Sequence, residues 1–166
     1  MTESFAIIAL SGENYPILKQ SRGLTIAVSL GSKFGPISIV RGSTRNGKLT
    51  WYRFNIELRN PAPSSSKMIV SIPETVGLRT LDGVFMDCSG SRSLKTSIEC
   101  KVSSKKVQVD LVTHDLQDLQ AGSNVTFTLY DVQNPNSLKR TGNFGFELKS
   151  SDRTFLYSSQ SSGVTI

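Results

Sequence analysis

Residues 49–59 read LTWYRFNIELR. In an extended chain Tyr52, Phe54, Ile56 and Leu58 fall on one side, while Arg53, Asn55, Glu57 and Arg59 fall on the other. The stretch is a strand with one buried and one wet face, and such a strand requires a sheet around it and a second layer over its apolar side. Asn60-Pro61-Ala62-Pro63 ends it, because proline donates no hydrogen bond to a ladder. Working outward, the same alternation and its flanking turns predict strands over residues 5–10, 24–30, 37–41, 67–72, 84–88, 94–100, 105–112, 124–132, 144–148 and 154–157. Val107, Val109 and Leu111 point inward in one of these, and Val125, Phe127 and Leu129 in another. Helical spacing is confined to residues 115–119, where Leu116 and Leu119 suit a single turn. Many short strands separated by turns predict an all-β fold, an antiparallel β-sandwich of the immunoglobulin-like Greek-key kind, with a closed barrel as the alternative. Phe54, Ile56, Val109, Phe127 and Phe146 are expected in one core.

The chain also repeats itself. Thr2 and Phe5 recur 139 residues later as Thr141 and Phe144, and Gln20, Ser21, Gly23, Thr25 and Ile26 recur 140 later as Gln160, Ser161, Gly163, Thr165 and Ile166. One residue is therefore inserted between the two groups of matches. Similarity at a fixed, domain-sized period marks tandem repetition. Residues 1–35 are thus expected to be the tail of a preceding repeat, packed as added strands, and residues 36–166 a β-sandwich repeat module. The boundary falls near the sequence GSKFGP at 31–36, too short a junction for a flexible linker.

With 37% hydrophobic and 19% charged residues, the composition indicates neither disorder nor a transmembrane span. A net charge of +6 raises the question of nucleic acid. The basic residues are scattered, with only Lys105-Lys106 and Lys139-Arg140 adjacent, which reads as a solvated surface and not as a nucleic-acid partner. The first five residues lack the basic start and apolar core of a signal peptide, so an exported parent protein is expected to carry its signal upstream.

Candidate chemistry is sparse. Cys88 and Cys100 lie twelve apart, as a disulfide or as two buried thiols; a bond closing such a loop contributes about 3 kcal/mol. No CxxC pair, metal-ligand spacing or calcium-loop pattern is present, so no metal and no cofactor is expected. Asn124-Val125-Thr126 is a glycosylation sequon if the chain is secreted, with Asn124 at a strand start and Thr126 facing outward. His114, beside Asp115 and Asp118, reads as a loop histidine; a catalytic site would need partners that the sequence does not supply. Trp51 lies opposite the inward face of its strand, so with Arg53 and Arg59 it forms a candidate binding face unless another layer covers it.

Residues 37–78, the two cysteines and residues 119–148 together resemble the β-sandwich tandem repeats of large ciliate cell-surface proteins that carry growth-factor-receptor-type cysteine-rich regions. The resemblance is carried by the aromatic strand ending at Asn60-Pro61, the strand running into Pro73 after Ile72, Cys88 paired with Cys100, and the path from Leu119 through Asn124-Val125-Thr126 to Asn134-Pro135. It implies a non-enzymatic structural or adhesive module of an extracellular coat or filament, with neighbouring copies as partners and no direct membrane contact. The alternatives are a surface module binding carbohydrate or protein, and, more distantly, a capsid-like sandwich.

Overall fold

The structure is a computed structural model that describes residues 7–10, 16–20, 33–137, 141–150 and 155–161. The chain divides into two compact units, Met1–Leu30 and Gly31–Ile166. In the first, β1 (Ile7–Leu10) and β2 (Pro16–Gln20) form an antiparallel hairpin. The strand expected over 24–30 lies outside the described residues.

The second unit holds β3 (Ile37–Arg41), β4 (Leu49–Glu57), β5 (Lys67–Ser71), β6 (Gly77–Leu78), β7 (Cys88–Arg92), β8 (Cys100–Ser103), β9 (Lys106–Asp110), β10 (Asn124–Gln133), β11 (Phe144–Lys149) and β12 (Phe155–Ser161). These make two five-stranded antiparallel sheets. One runs β3-β4-β10 and continues with β7 and β6 on the far side of β10; the other runs β12-β11-β5-β9-β8. Among the described residues there is no helix.

β4 behaves as its alternation dictates. Tyr52, Phe54 and Ile56 are fully buried, and across the ladder they meet Leu129, Phe127 and Val125 of β10. Phe54 stacks on Phe127 at 5.2 Å between ring centroids and meets Phe144 and Phe146 of the opposite sheet edge-on, each at 5.9 Å. These edge-on contacts join the two sheets across one core, to which β5 adds Met68 and Val70 and β9 adds Val107 and Val109. The five residues expected to share a core do so. The arrangement is sandwich-like, with side chains from two facing sheets filling the space between.

Strand β10 carries an irregularity that a strict period of two does not foresee. Its register against β4 slips between Leu129 and Val132, and Asp131 takes a positive φ of 53°. One extra residue at this bulge returns Val132 to the core side, where it is 1% exposed. On the other edge the bulge divides β10 between two partners, with β7 pairing to residues 125–129 and β6 to residues 132–133.

Cys88 and Cys100 are bonded, with Cα atoms 6.3 Å apart. Cys88 opens β7 in one sheet and Cys100 opens β8 in the other, so the bond is a covalent tie across the sandwich. The segment between them corrects two expectations. Residues 84–88 form only an isolated bridge, Phe85 to Lys101, before β7 begins. Residues 94–100 are not a strand: the chain folds back over β7, with Gly90 N–H donating to the Thr96 carbonyl (3.0 Å) and Leu94 fully buried. Gly90 permits this approach, since a Cβ there would collide with the Lys95 carbonyl and lie 2.8 Å from Leu94 Cβ. The single turn that the spacing of Leu116 and Leu119 would suit does not form as helix. Leu116 adopts a φ of 55° and is 67% exposed, so it anchors nothing, and Leu119 is buried through a bridge to Ala62.

Candidate binding face

The outer surface of the β3-β4-β10-β7 sheet is where Trp51 and Arg53 stand. Both project from β4 on the side opposite Tyr52 and Phe54. The half-buried indole lies across Gly42, whose lack of a side chain makes room for it; a Cβ at Gly42 would collide with Trp51 Nε1. Gly42 N–H in turn donates to the Trp51 carbonyl (3.0 Å), which fixes the pair edge to edge. The Arg53 guanidinium sits 5.2 Å from the centre of the indole, within cation–π range.

Around them the face is a lattice of short polar side chains. Arg53 Nε donates to Thr128 Oγ1 (3.3 Å). Thr126 Oγ1 donates to Asn55 Oδ1 (3.0 Å), and Asn55 Nδ2 donates to Ser38 Oγ (3.2 Å), so one hydrogen-bonded row crosses β10, β4 and β3. Ser89 and Tyr130 hydroxyls meet at 3.0 Å. Thr126 and Thr128 are consequently 3% and 4% exposed although they lie on the outer side, and neighbouring Val40 is 47% exposed. Arg53 is exposed and retains four N–H donors on its two terminal nitrogens. The result is a sheet surface that carries the Trp51 indole beside the Arg53 guanidinium and is cross-linked by its own side-chain hydrogen bonds.

Arg59 does not join this patch. It is exposed at a bend beyond the end of β4, two residues past Glu57. Conversely, the sequence reading missed Gly42, Thr128 and Tyr130. Their cross-strand positions depend on pairings between segments far apart in the chain, and no local pattern marks them.

The other candidates lie elsewhere. Asn124 is the exposed first residue of β10, paired with Glu57, and its carbonyl accepts from Ser93 Oγ (3.1 Å). The hydroxyl of its sequon partner Thr126 is the one engaged by Asn55. His114 is exposed on a shallow groove of about 310 Å³ with Arg92, Asp115 and Asp118. Asp118 is turned to the Ser64 N–H (3.1 Å) and serves the loop, not the imidazole. A second groove of about 520 Å³ runs past Phe85, Ile98, Glu99 and Asp110. Its charges are matched locally: Glu99 pairs with Lys101 at 2.6 Å, which raises the lysine pKa, and Asp110 pairs with Lys67 at 3.8 Å and accepts from Gln108 at 3.1 Å. Among the described residues no group of three or more His, Cys, Asp or Glu side chains gathers where it could hold a metal ion.

No protein-family model matches the chain, and no curated protein matches it. Among solved structures it is similar to the major pilin subunit of Bacillus cereus, with 8% sequence identity and a TM-score of 0.38. That match covers 99% of this chain and 47% of the pilin, so the chain spans about half the length of that protein.

Proposed function

We propose that this chain is a non-catalytic structural or adhesive β-sandwich module of a large extracellular tandem-repeat protein, acting through self-association in a surface coat or filament. The carrying observation is the Cys88–Cys100 bond and its placement between the two sheets. A disulfide of this kind persists in oxidising surroundings, outside the cytosol. Joining the faces of a sandwich covalently resists their separation, which suits a module that bears load within an assembly. The strand order supports an immunoglobulin-like arrangement: β3-β4-β10-β7 corresponds to the A-B-E-D sheet and β12-β11-β5 to G-F-C. It departs from that pattern in one respect, since the β8–β9 hairpin reaches the outer side of β5 only after β6 and β7 have visited the other sheet. The resemblance to ciliate cell-surface repeats points to the same setting, and a cofactor has no place in this reading.

Mass spectrometry of the protein isolated from its native source, without reduction, tests the proposal. The expected result is a polypeptide containing more than one copy of the module, with Cys88 and Cys100 oxidised. Free thiols at both positions in the native protein would overturn it.

A second reading is favoured by one observation, the Trp51 indole packed against Gly42 beside Arg53 in a hydrogen-bonded polar surface. Aromatic platforms flanked by hydrogen-bond donors suit the apolar face and hydroxyls of a sugar ring. In this reading the module binds carbohydrate, and Trp51→Ala is expected to reduce retention on a polysaccharide column at least tenfold while leaving the thermal midpoint within about 3 °C. Equal retention of the variant and the parent chain would dismiss it.

A further inference from the structure

Two hairpins of this chain, β1–β2 and β11–β12, share more than an alternating pattern. In β1–β2 the paired residues are Ile7 with Gln20, Ile8 with Lys19, Ala9 with Leu18, and, after a register shift, Leu10 with Pro16. Adding 139 to each number gives Phe146 with Ser159, Glu147 with Ser158, Leu148 with Tyr157 and Lys149 with Phe155. All four are pairs of the β11–β12 ladder, and that ladder shifts register at the same place, between Leu148 and Lys149. Five residues separate the strands in each hairpin, 11–15 in one and 150–154 in the other. Shared apolar alternation would not by itself fix loop length, four consecutive pairs and the position of a bulge together.

The backbone offset and the sequence offset part at the end of the hairpin: Gln20 matches Gln160 in sequence but Ser159 in register. Pro16 is accommodated because it stands at the first position of its strand, as Phe155 does in β12.

What differs is the other edge of the first strand. β11 pairs with β12 on one side and with β5 on the other, whereas among the described residues β1 pairs with β2 alone. We infer that β1–β2 is a copy of the module's closing hairpin and that β1, on the edge away from β2, pairs with the β5 strand of a module copy in which this hairpin stands in the place of β11–β12, since β5 is here already flanked by β11 and β9. Carrying the β11–β5 ladder across by the same offset gives the register: Ile7 opposite Val70, Ile8 opposite Ile69, Ala9 opposite Met68 and Leu10 opposite Lys67 of that other copy. Modules are then joined by backbone pairing, with the body of one copy completed by the hairpin that begins this chain. The inference concerns how copies connect, and it stands whether the assembled surface is adhesive or binds sugar.

Equal length makes the test direct. In the full-length chain, residues 144–161 are replaced by a copy of residues 5–22; a control carries a scrambled order at both places. The readouts are amide hydrogen exchange of β5 and the thermal midpoint. The transplanted hairpin is expected to protect the β5 amides at least 100-fold relative to the control. The midpoint is expected to fall about 10 °C below the parent, because Ala9 takes the place of Leu148, which is fully buried. Ala9→Leu within the transplanted copy is expected to recover about half of that fall. Exchange of β5 as fast as in the scrambled control, both with and without Ala9→Leu, would overturn the inference.

Discussion

Phe54→Ala is expected to lower the unfolding free energy by about 4 kcal/mol, within the range for removing a fully buried phenylalanine. The size follows from its position, since its ring stacks on Phe127 within one sheet and meets Phe144 and Phe146 of the other. Neighbouring side chains project from strands fixed in two ladders and cannot all move into the vacated space. Urea unfolding monitored by the single Trp51 should show a lower midpoint at an unchanged slope. A loss below about 1 kcal/mol would mean that the sheets do not pack together at this residue.

Asn134→Ala is expected to cost about as much by a different mechanism. The Asn134 side chain is 1% exposed and accepts from the Tyr52 hydroxyl at 2.7 Å. It also donates to the carbonyls of Ser43 (2.9 Å) and Arg45 (2.8 Å), and its own N–H donates to the Lys48 carbonyl (2.9 Å). One amide therefore ties the loop between β3 and β4 to the end of β10. Alanine leaves a phenol and two carbonyls without their partner, at about 1 to 3 kcal/mol for each group that water does not reach. The expected total is about 3 to 4 kcal/mol, with faster exchange of the Gly47 amide, which donates to the Pro135 carbonyl at 3.1 Å.

Tyr52→Phe should cost less, because it removes only one of these bonds. Burial raises the Tyr52 pKa above its ordinary 10.0 and outweighs the lowering effect of Arg41. The fold thus favours the protonated phenol. That contribution is complete below the pKa of the free phenol, near 10, and is lost as pH rises above it. The parent chain should accordingly lose more stability than Tyr52→Phe between pH 9 and pH 11. Parallel losses in the two proteins, or an Asn134→Ala midpoint equal to the parent, would show that this buried pair contributes nothing.

Legibility in the sequence followed a physical division. The inward sets of β4, β9 and β10 could be read because side-chain direction in a strand is set by the residue's own place in the alternation. Tyr52, Phe54, Val107, Val109, Phe127 and Leu129 are all fully buried. The alternation failed at Val132, where the bulge at Tyr130 and Asp131 inserts a residue. It failed again over 94–100, where the covalent tie and the close approach at Gly90 direct the chain more strongly than strand propensity does. Leu116 and Leu119 had helical spacing, but two apolar residues offer too little burial to hold one turn of helix, whose nucleation is costly.

Trp51 and Arg53 were legible as neighbours because they are two residues apart on one face of a strand. Arg59 obeys the same parity, yet the strand ends first. Gly42 and Thr128 could not be found in this way, since each reaches the patch through strand pairing.

The sequence by itself determined that this protein is built from short antiparallel strands and which faces of the main strands are apolar. These are properties of residue order, and they survive in any fold that keeps the strands. Tertiary structure alone decided that β4 lies beside β10 and β5 beside β11, that Cys88 and Cys100 belong to opposite sheets, and that Asn134 holds a loop some ninety residues away. Pairing partners compete on the summed energy of a whole ladder and of the core beneath it, and no single segment encodes that sum.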